Sequence, residues 1–393
     1  MRIKYLTAGE SHGPELNAII EGIPSNFEIS KEFIDNFLER RQKGSGSGGR
    51  MNIEKDAVSI SSGVVNNKST GGPIALKIIN KDWKNWQSKE IEPFNVPRPG
   101  HADLVGTLKY KHTDIRHSLE RASARETAIR TAVGAVCSQV LHSLNINIMG
   151  FVSSIGTISI DLNQILNDEE LRNKVINSNV SCPDESISTQ MEEAIKEARK
   201  NKDTLGGAIT CIADNFPPGC GSYVHFDRKL DAKIASSMMS VQSVKAVEIG
   251  NGVESSKSFG TKVQDQIELE NKSLKRISNN LGGFEGGMTT GEKIVITSFL
   301  KPISTTLTPI KSVDLASKKE TKTEYERSDT CAVPRAVPIF ESVLAIDLLN
   351  ALLIKTGGDS KQEISERLTK LREYSIDDFN LANETWQMNY EIE

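Results

Sequence analysis

The stretch SLERASARETAIRTAVGAVCSQVLHSL, residues 118–144, carries the clearest secondary-structure signal in this chain. Its β-branched residues recur at helical spacing and form one apolar stripe, made of Ile129, Val133, Val136 and Val140. We therefore predict a long helix over about 118–144 whose stripe faces a hydrophobic core. Arg121 and Arg125 are four residues apart within it, so we expect them to share one helix face.

Strand-like and helical segments are mixed on both sides of this stretch. Strands are predicted at 15–22, in short pieces over 53–79, and near 147–160, 208–213, 223–226, 246–250 and 293–299. Helices are predicted at 30–42, over parts of 162–202, at 230–239 and at 340–353. This mixture predicts an α/β (α+β) fold, and the lack of a linker-like run predicts a single domain over residues 1–393.

Composition narrows the class of protein. The chain has 393 residues, of which 37% are hydrophobic and 25% charged, with a net charge of −4, so a large core is expected and a nucleic-acid partner is not. No apolar run of membrane-spanning length and no secretory signal is apparent in the sequence. The five cysteines are scattered and form no CxxC pair. We expect a reduced, cytoplasmic protein with no membrane partner.

Two histidines lie in turn-forming sequences, TAGESHGP at residues 7–14 and PRPGHAD at 97–103. Gly and Pro fix a sharp reversal at each, which holds His12 and His101 at the ends of rigid loops. Imidazole titrates near neutrality, so this placement indicates proton transfer. The remaining histidines, 112, 117, 142 and 225, have no such setting, and we interpret them as structural or exposed.

Arginines gather around the Gly-rich turns. Arg40, Arg41 and Arg50 flank the run GSGSGG at 44–49, and Arg98 precedes His101 by three residues. Guanidinium groups match phosphate and carboxylate geometry, so the set indicates a site for a small polyanion such as a phosphorylated carboxylate. The sequence KPIST at 301–305 follows a predicted strand and offers a further phosphate cradle. For any single arginine, a solvated surface position is the alternative.

Other patterns carry less information. The run at 44–49 matches GxGxxG by letter but follows a helix instead of a strand, and GGFEGGMTTG at 282–291 is not a Walker A loop. Arg327 and Asp329 lie two residues apart in a polar turn, where a structural ion pair is the alternative to a functional role. No spacing typical of metal ligands occurs, so no metal is predicted.

Eight strings occur in order over residues 1 to about 350 and together closely resemble the chorismate synthase family. They are TAGESHGP (7–14), RPGHAD (98–103), ERASARET (120–127), DRKL (227–230), VEIG (247–250), GGFEGG (282–287), KPIST (301–305) and ERSDTCAVP (326–334). The resemblance implies a β-α-β sandwich and a homotetramer. It also implies a lyase that eliminates phosphate and a ring proton from 5-enolpyruvylshikimate 3-phosphate in a 1,4-anti reaction, with reduced FMN as cofactor.

The resemblance also assigns residues. His12 would protonate the departing phosphate, His101 the reduced flavin, and Asp329 would help accept the C6 proton, with Ser11 and Ser123 assisting proton relay. Substrate contacts would come from Arg41, Arg50, Met51, Arg98, Ser123, Ala124, Arg125 and Arg327. Flavin contacts would come from Arg121, Ala122, Ser123, Gln242, Ser243, Gly286, Lys301, Pro302, Ile303, Ser304, Thr305 and Arg327.

Two positions depart from the family pattern. Ser47 stands where relatives with a similar N-terminal segment carry Arg, which removes a cation expected near substrate or nicotinamide nucleotide (NADP), and Ala246 replaces a common Gly. The family contains members that reduce their own flavin and members whose flavin is reduced by another enzyme. No added nicotinamide domain is apparent, so we expect a separate flavin reductase.

Two other functions are compatible with parts of the sequence. A non-catalytic anion- or RNA-binding protein would use the Arg/Gly/Ser loop, but only 5% of residues are aromatic and the net charge has the wrong sign. A flavin oxidoreductase would instead consume nicotinamide nucleotide with a second substrate.

Overall fold

The computed structural model of this chain describes residues 3–46, 55–166, 168–324 and 329–388. In these residues two larger antiparallel sheets have helices between them, and four further sheets have two strands each. The strands are β1 (Lys4–Ala8), β2 (Glu15–Glu21), β3 (Val58–Ser62), β4 (Val64–Val65), β5 (Lys68–Ser69), β6 (Ile74–Ile79), β7 (Asn147–Ile155), β8 (Ile158–Ser159), β9 (Gly207–Asp214), β10 (Val244–Ile249), β11 (Ile267–Glu270), β12 (Ser273–Arg276), β13 (Phe284–Glu285), β14 (Met288–Thr289), β15 (Ile294–Leu300), β16 (Lys311–Asp314) and β17 (Lys319–Lys322).

The helices connect and separate these strands. They are α1 (Lys31–Gln42), α2 (Asp103–Tyr110), α3 (Arg116–Ala122), α4 (Glu126–Ser143), α5 (Leu162–Ile165), α6 (Leu171–Asn177), α7 (Glu185–Lys200), α8 (Leu230–Met239), α9 (Gly252–Ser255), α10 (Gly260–Val263), α11 (Val333–Thr356) and α12 (Lys361–Arg372). Short 3₁₀ helices lie at Lys81–Asn85, Phe226–Arg228 and Ile376–Asp378.

The first sheet has the strand order β1-β2-β6-β3. Leu16, Ala18 and Ile20 of β2 are buried while Ile19 is exposed, because alternate side chains of a strand point to opposite faces. The buried side chains of this sheet join the main core together with those of α1 and α4, and α4 packs against β1, β2 and β6. The other face of this sheet points away from the core.

The second sheet has the order β10-β15-β9-β7-β8 and is covered on both faces at its centre. Six consecutive residues of β9, 208–213, are buried, as expected for a strand that is packed on both sides. Helix α11 packs against β7 and β9 on one face. On the other face Phe151 and Ile212 pack with Leu171 and Val175 of α6.

Helices α4 and α11 lie against each other between the two sheets, which confirms the predicted β-α-β sandwich. Gly134 permits this approach, because a Cβ at that position would lie 2.2 Å from the Cβ of Ser342. Helix α11 is long and apolar enough to cross a membrane by length and composition, which the sequence analysis did not anticipate. Because 83% of its most apolar window is buried inside the protein, it serves here as a core helix.

The predicted helix over 118–144 is wrong as one continuous element. The chain leaves the helical conformation at Ser123, which has ψ of 144°, and the helix divides into α3 and α4. The Ser123 hydroxyl accepts a hydrogen bond from the Arg125 backbone N–H at 3.3 Å, a local bond that competes with helix continuation. Arg121 therefore lies in α3 while Arg125 is the N-cap residue of α4, and the two do not share a helix face.

Other predicted elements also differ from those in the structure. Residues 223–226 form no strand and lead into a 3₁₀ turn. The last core helix begins at Val333, not at residue 340, with Pro334 in its first turn where the missing N–H costs nothing. Helix α2, directly after His101, and helix α12 were not predicted.

Candidate active site

A cavity of about 420 Å³ brings together four of the quoted motifs. Its cationic wall consists of Arg41, Arg98, Arg125, Lys301 and Arg335, and its apolar wall includes Leu119, Val241, Leu300, Ile303 and Ile339. His101, Ser123 and Asp329 also line it. The cavity is therefore suited to a ligand that has both an apolar surface and several negative charges.

Asp103 organises the second histidine turn. Its carboxylate is fully buried and lies 2.5 Å from Nδ1 of His101, while Nε and Nη2 of Arg98 donate to its two oxygens at 2.8 and 3.0 Å. Burial alone would raise the pKa of Asp103, but the hydrogen bonds from His101 and Arg98 outweigh burial and hold it well below its usual range. Asp103 thus fixes His101 at the cavity wall and accepts hydrogen bonds from two of the three guanidinium nitrogens of Arg98.

The first histidine turn lies behind the cavity wall. Gly9 has φ of +111°, and a Cβ there would lie 2.4 Å from the carbonyl oxygen of Glu15, so only glycine fits the reversal. His12 and Ser11 are not among the cavity-lining residues. The Ser123 hydroxyl, which does line the cavity, donates to the Ser11 hydroxyl at 3.2 Å. A pair of hydroxyls therefore connects the cavity to the turn that carries His12.

Arg41 is the most deeply buried cation of the site, with 2% of its surface exposed. Its Nε donates to the Thr127 hydroxyl and its Nη2 to the Ala124 carbonyl, while Nη1 has no hydrogen-bond partner within the described residues. Burial, together with the charges of Arg335 and Arg125 and against the attraction of Asp56, lowers the pKa of Arg41 to about 9. Nη1 lies 3.6 Å from the Asp56 carboxylate, so it has an ion-pair partner but makes no hydrogen bond in the described part of the chain. A buried guanidinium with such an unused donor favours a bound anion.

Arg125 is held in place by two residues that do not line the cavity. Its Nη1 donates to Asp56 at 2.7 Å, and its Nε and Nη2 donate to the Asn80 side-chain oxygen at 2.9 and 2.7 Å. The Asn80 amide in turn donates to the carbonyls of Glu10 and Gly13 in the first histidine turn. One buried amide therefore connects a cavity arginine to the His12 loop.

Asp329 lies on the cavity wall close to the N-terminus of α11. Its carboxylate pairs with Arg335, in the first turn of α11, at 2.5 Å. The side chains of both partners are mostly buried. The partner of Asp329 in this ion pair is a residue of α11. The alternative partner considered from the sequence, Arg327, lies outside the described residues.

Most of the residues predicted to contact flavin meet at the cavity. Ala122, Ser123, Gln242, Ser243, Lys301, Ile303, Ser304 and Thr305 line it. The side-chain oxygen of Gln242 is buried and has no hydrogen-bond partner within the described part of the chain. Burial, and to a lesser extent Lys245, lowers the pKa of Lys301, whose ammonium donates to Ser304 at 3.0 Å.

Three of the residues predicted to contact flavin do not line the cavity. The Arg121 guanidinium donates to the backbone carbonyls of Thr7 and Gly9, and Pro302 does not line the cavity. Gly286 lies in the β13–β14 turn, whose neighbour Gly287 bonds Leu230 at the start of α8. The cavity residues 241–243 follow the other end of this ten-residue helix, about 15 Å away along its axis.

Four sites named from the sequence, Ser47, Arg50, Met51 and Arg327, lie outside the described residues. Conversely, the structure adds residues that sequence reasoning missed. They are Asp56, Asn80, Trp86, Glu120 and Arg335. Glu120 was inside a quoted motif and Arg335 directly followed one, but Asp56 and Asn80 carry no local signal because their contacts are distant in sequence.

Comparison with known proteins gives one consistent answer. The family model described as chorismate synthase matches residues 3–353. The chorismate synthase of Bacillus licheniformis is 45% identical over 384 residues, covering 94% of this chain and 98% of that protein, and that of Aquifex aeolicus is 47% identical over 382 residues, covering 93% and 96%. A crystal structure of chorismate synthase superposes with a TM-score of 0.79 at 38% identity, covering 96% of this chain and 99% of the other. The chain therefore belongs to the chorismate synthase family, lyases of the shikimate pathway.

Proposed function

We propose that this chain eliminates phosphate and the C6 proton from 5-enolpyruvylshikimate 3-phosphate to form chorismate, with reduced FMN bound in the cavity. The observation that carries the proposal is the buried Arg41 on the cavity wall, whose Nη1 lies 3.6 Å from Asp56 but makes no hydrogen bond in the described chain. A substrate with one phosphate and two carboxylates would supply the missing acceptors. Arg125, fixed by Asp56 and Asn80, provides a second oriented cation.

The same cavity has features that fit a flavin. The orphaned oxygen of Gln242 can accept from a ring N–H, and the apolar side chains of Val241, Leu300 and Ile339 can cover a flat ring. Lys301, Ser304 and Thr305 offer a charge and hydroxyls for its phosphate or ring oxygens. When bound, reduced FMN would supply the electron density that the carbon–oxygen bond takes up as it breaks.

The protein's own groups would bind and move protons. His12 would give a proton to the departing phosphate, with Ser11 and Ser123 between it and the cavity. His101, fixed by Asp103, would hold the proton that keeps the flavin in its reactive form. Asp329, beside Arg335, would assist removal of the C6 proton. The phosphate would leave with the electron pair of the broken carbon–oxygen bond. The electron pair of the broken C6–H bond would remain in the ring and form the new double bond.

The deciding experiment is anaerobic turnover of purified protein with chemically reduced FMN, followed by phosphate release and chorismate absorbance. We expect activity under these conditions, and loss of about 10²–10⁴ in rate for His12→Ala and for His101→Ala. Absence of turnover with reduced FMN would reject the function, and near wild-type rates in both variants would reject their roles. A parallel assay with NADPH and oxidised FMN should be inactive if a separate reductase supplies the electrons.

A homotetramer and a cytoplasmic location are part of the same proposal. The outer face of the first sheet carries exposed Leu6, Ile19 and Ile79, and Leu6 lies directly opposite Ile19 in the β1–β2 register. Such an apolar face is typical of an interface between copies. Light scattering of the purified chain should give four times the monomer mass of 43.2 kDa.

A further inference from the structure

Glu120 makes three long-range hydrogen bonds to the turn that carries His12. Its Oε1 lies 2.7 Å from Nδ1 of His12, its Oε2 accepts from the His12 backbone N–H at 2.7 Å, and its carbonyl accepts from the Ser11 N–H at 3.1 Å. One residue of α3 therefore holds both the backbone and the ring of His12. Neither the family comparison nor the reading of the motifs gave Glu120 a role.

This contact decides which nitrogen of His12 carries a proton. An ionised carboxylate only accepts hydrogen bonds, so the neutral ring must place its proton on Nδ1 to satisfy Oε1. Nε2 is then the nitrogen that takes up and releases a second proton.

The ring is enclosed on another side by Trp86. The ring centroids of His12 and Trp86 are 4.2 Å apart at an angle of 41°. The indole N–H donates to Asp82 at 3.0 Å, and the Lys89 ammonium lies 5.5 Å from the indole ring centre. With the carboxylate on its Nδ1 and an indole beside it, the ring has little freedom to rotate.

We propose that Glu120 is the positioning residue for His12: it fixes the Nδ1–H tautomer and directs Nε2 as the proton donor. The proton that reaches the departing phosphate comes from Nε2, the ring returns to its neutral Nδ1–H form, and Glu120 gains no proton. The kinetic part of this inference rests on the proposed function. The tautomer itself does not depend on it.

Glu120→Gln is the discriminating variant because it preserves size and removes one acceptor. Glutamine has a single side-chain oxygen, whereas the His12 backbone N–H and the Nδ1–H group need two acceptors. If the oxygen keeps the backbone N–H, the amide NH₂ faces Nδ1 and forces the Nε2–H tautomer. The ring or the loop must therefore change.

The first measurement is the ¹⁵N spectrum of histidine side chains in the protein without substrate, at a pH where imidazoles are neutral. The His12 signals are assigned by their loss in His12→Gln. We expect the Nδ1–H tautomer in the wild type and loss of that form in Glu120→Gln. A wild-type His12 in the Nε2–H form would overturn the inference even if the variant failed to fold.

The second measurement is a kinetic double-mutant cycle with His12→Gln. We expect Glu120→Gln to lower kcat by about 10²-fold or more with little change in KM, because Glu120 lies behind the cavity wall. In the His12→Gln background the same change should cost nothing further. An equal loss in both backgrounds, or unchanged kcat in Glu120→Gln, would show that Glu120 does not act through His12.

The chain offers a matched control in the exposed pair His225–Asp227, whose Nδ1 and Oδ1 are also 2.7 Å apart. Asp227→Asn should leave kcat and KM unchanged. If the wild type shows no turnover at all, the proposed function fails, while the tautomer of His12 still decides whether Glu120 positions it.

Discussion

The hydroxyl of Ser123 lies 3.2 Å from the hydroxyl of Ser11, and this bond joins the cavity wall to the buried side of the His12 turn. Ser123 can occupy that position because the chain breaks its helical path there, between α3 and α4. The break that the sequence did not reveal is thus the feature that connects the two parts of the site.

Removing the Ser11 hydroxyl should interrupt this connection without altering the cavity surface, because Ser11 does not line it. We expect Ser11→Ala to lower kcat by about tenfold or more while KM changes little, since only the proton path is affected. Steady-state kinetics under anaerobic conditions will measure both constants. Ser236→Ala, at an exposed serine of α8, is the control. Unchanged kcat in Ser11→Ala would exclude a relay through this hydroxyl.

Asp103→Asn should destabilise the protein as well as slow it. The hydrogen bonds from His101 and Arg98 hold the pKa of Asp103 below its usual value, so its ionised form stabilises the fold at neutral pH. That contribution is lost as the pH falls below about 4, where the unfolded carboxyl and then the folded one become protonated. We expect the variant to lose about 3–5 kcal/mol at pH 7, measured by urea unfolding, and less in acid. An equal loss at both pH values would contradict this account.

Inorganic phosphate should raise the melting temperature through Arg41. At saturating phosphate we expect a rise on the order of 5 °C at pH 7.5, and little or none in Arg41→Gln. Burial lowers the pKa of Arg41 to about 9, so at pH 7.5 the guanidinium still carries the charge that binds the anion. Differential scanning fluorimetry measures the shift, with the exposed Arg228→Gln as control. A full shift in Arg41→Gln would place the anion elsewhere.

Asp347→Asn should stabilise the protein above neutral pH. Burial between α8 and α11, only partly opposed by Ser237 and Lys233, raises the pKa of Asp347 to about 7. Between about pH 4 and 7 the folded chain retains a proton that the unfolded chain releases, so wild-type stability falls as the pH rises. Urea unfolding gives the difference in unfolding free energy between the variant and the wild type at each pH. We expect this difference to favour the variant by about 2–4 kcal/mol more at pH 8 than at pH 4. The exposed Asp203→Asn should show no such difference.

The motifs predicted the composition of the site better than its geometry. His101, Ser123, Lys301 and Asp329 were named from sequence and do meet at one cavity. Arg98 was expected to contact substrate; it lines the cavity, and its Nε and Nη2 donate to Asp103. Which residues bind substrate and flavin stays a prediction until the experiments above are done.

The structure gives a physical argument against the competing RNA-binding function, in addition to the membership of the family. An RNA binder needs aromatic platforms and an exposed basic face, whereas Arg41 and Arg125 are buried in the wall of a cavity. Such a site selects a small anion.

By itself, the sequence determined the family, the alternation of strands and helices, and the two glycine-bounded histidine turns, since each depends on local spacing or on residues that only a given backbone tolerates. Tertiary structure alone decided that His12 is held by Glu120, that Asn80 connects its turn to Arg125, and that one nitrogen of the buried Arg41 makes no hydrogen bond within the described residues. These contacts join residues from about 45 to 108 positions apart. No local pattern encodes such pairings, because they form only when the burial of two sheets against α4 and α11 brings distant segments together.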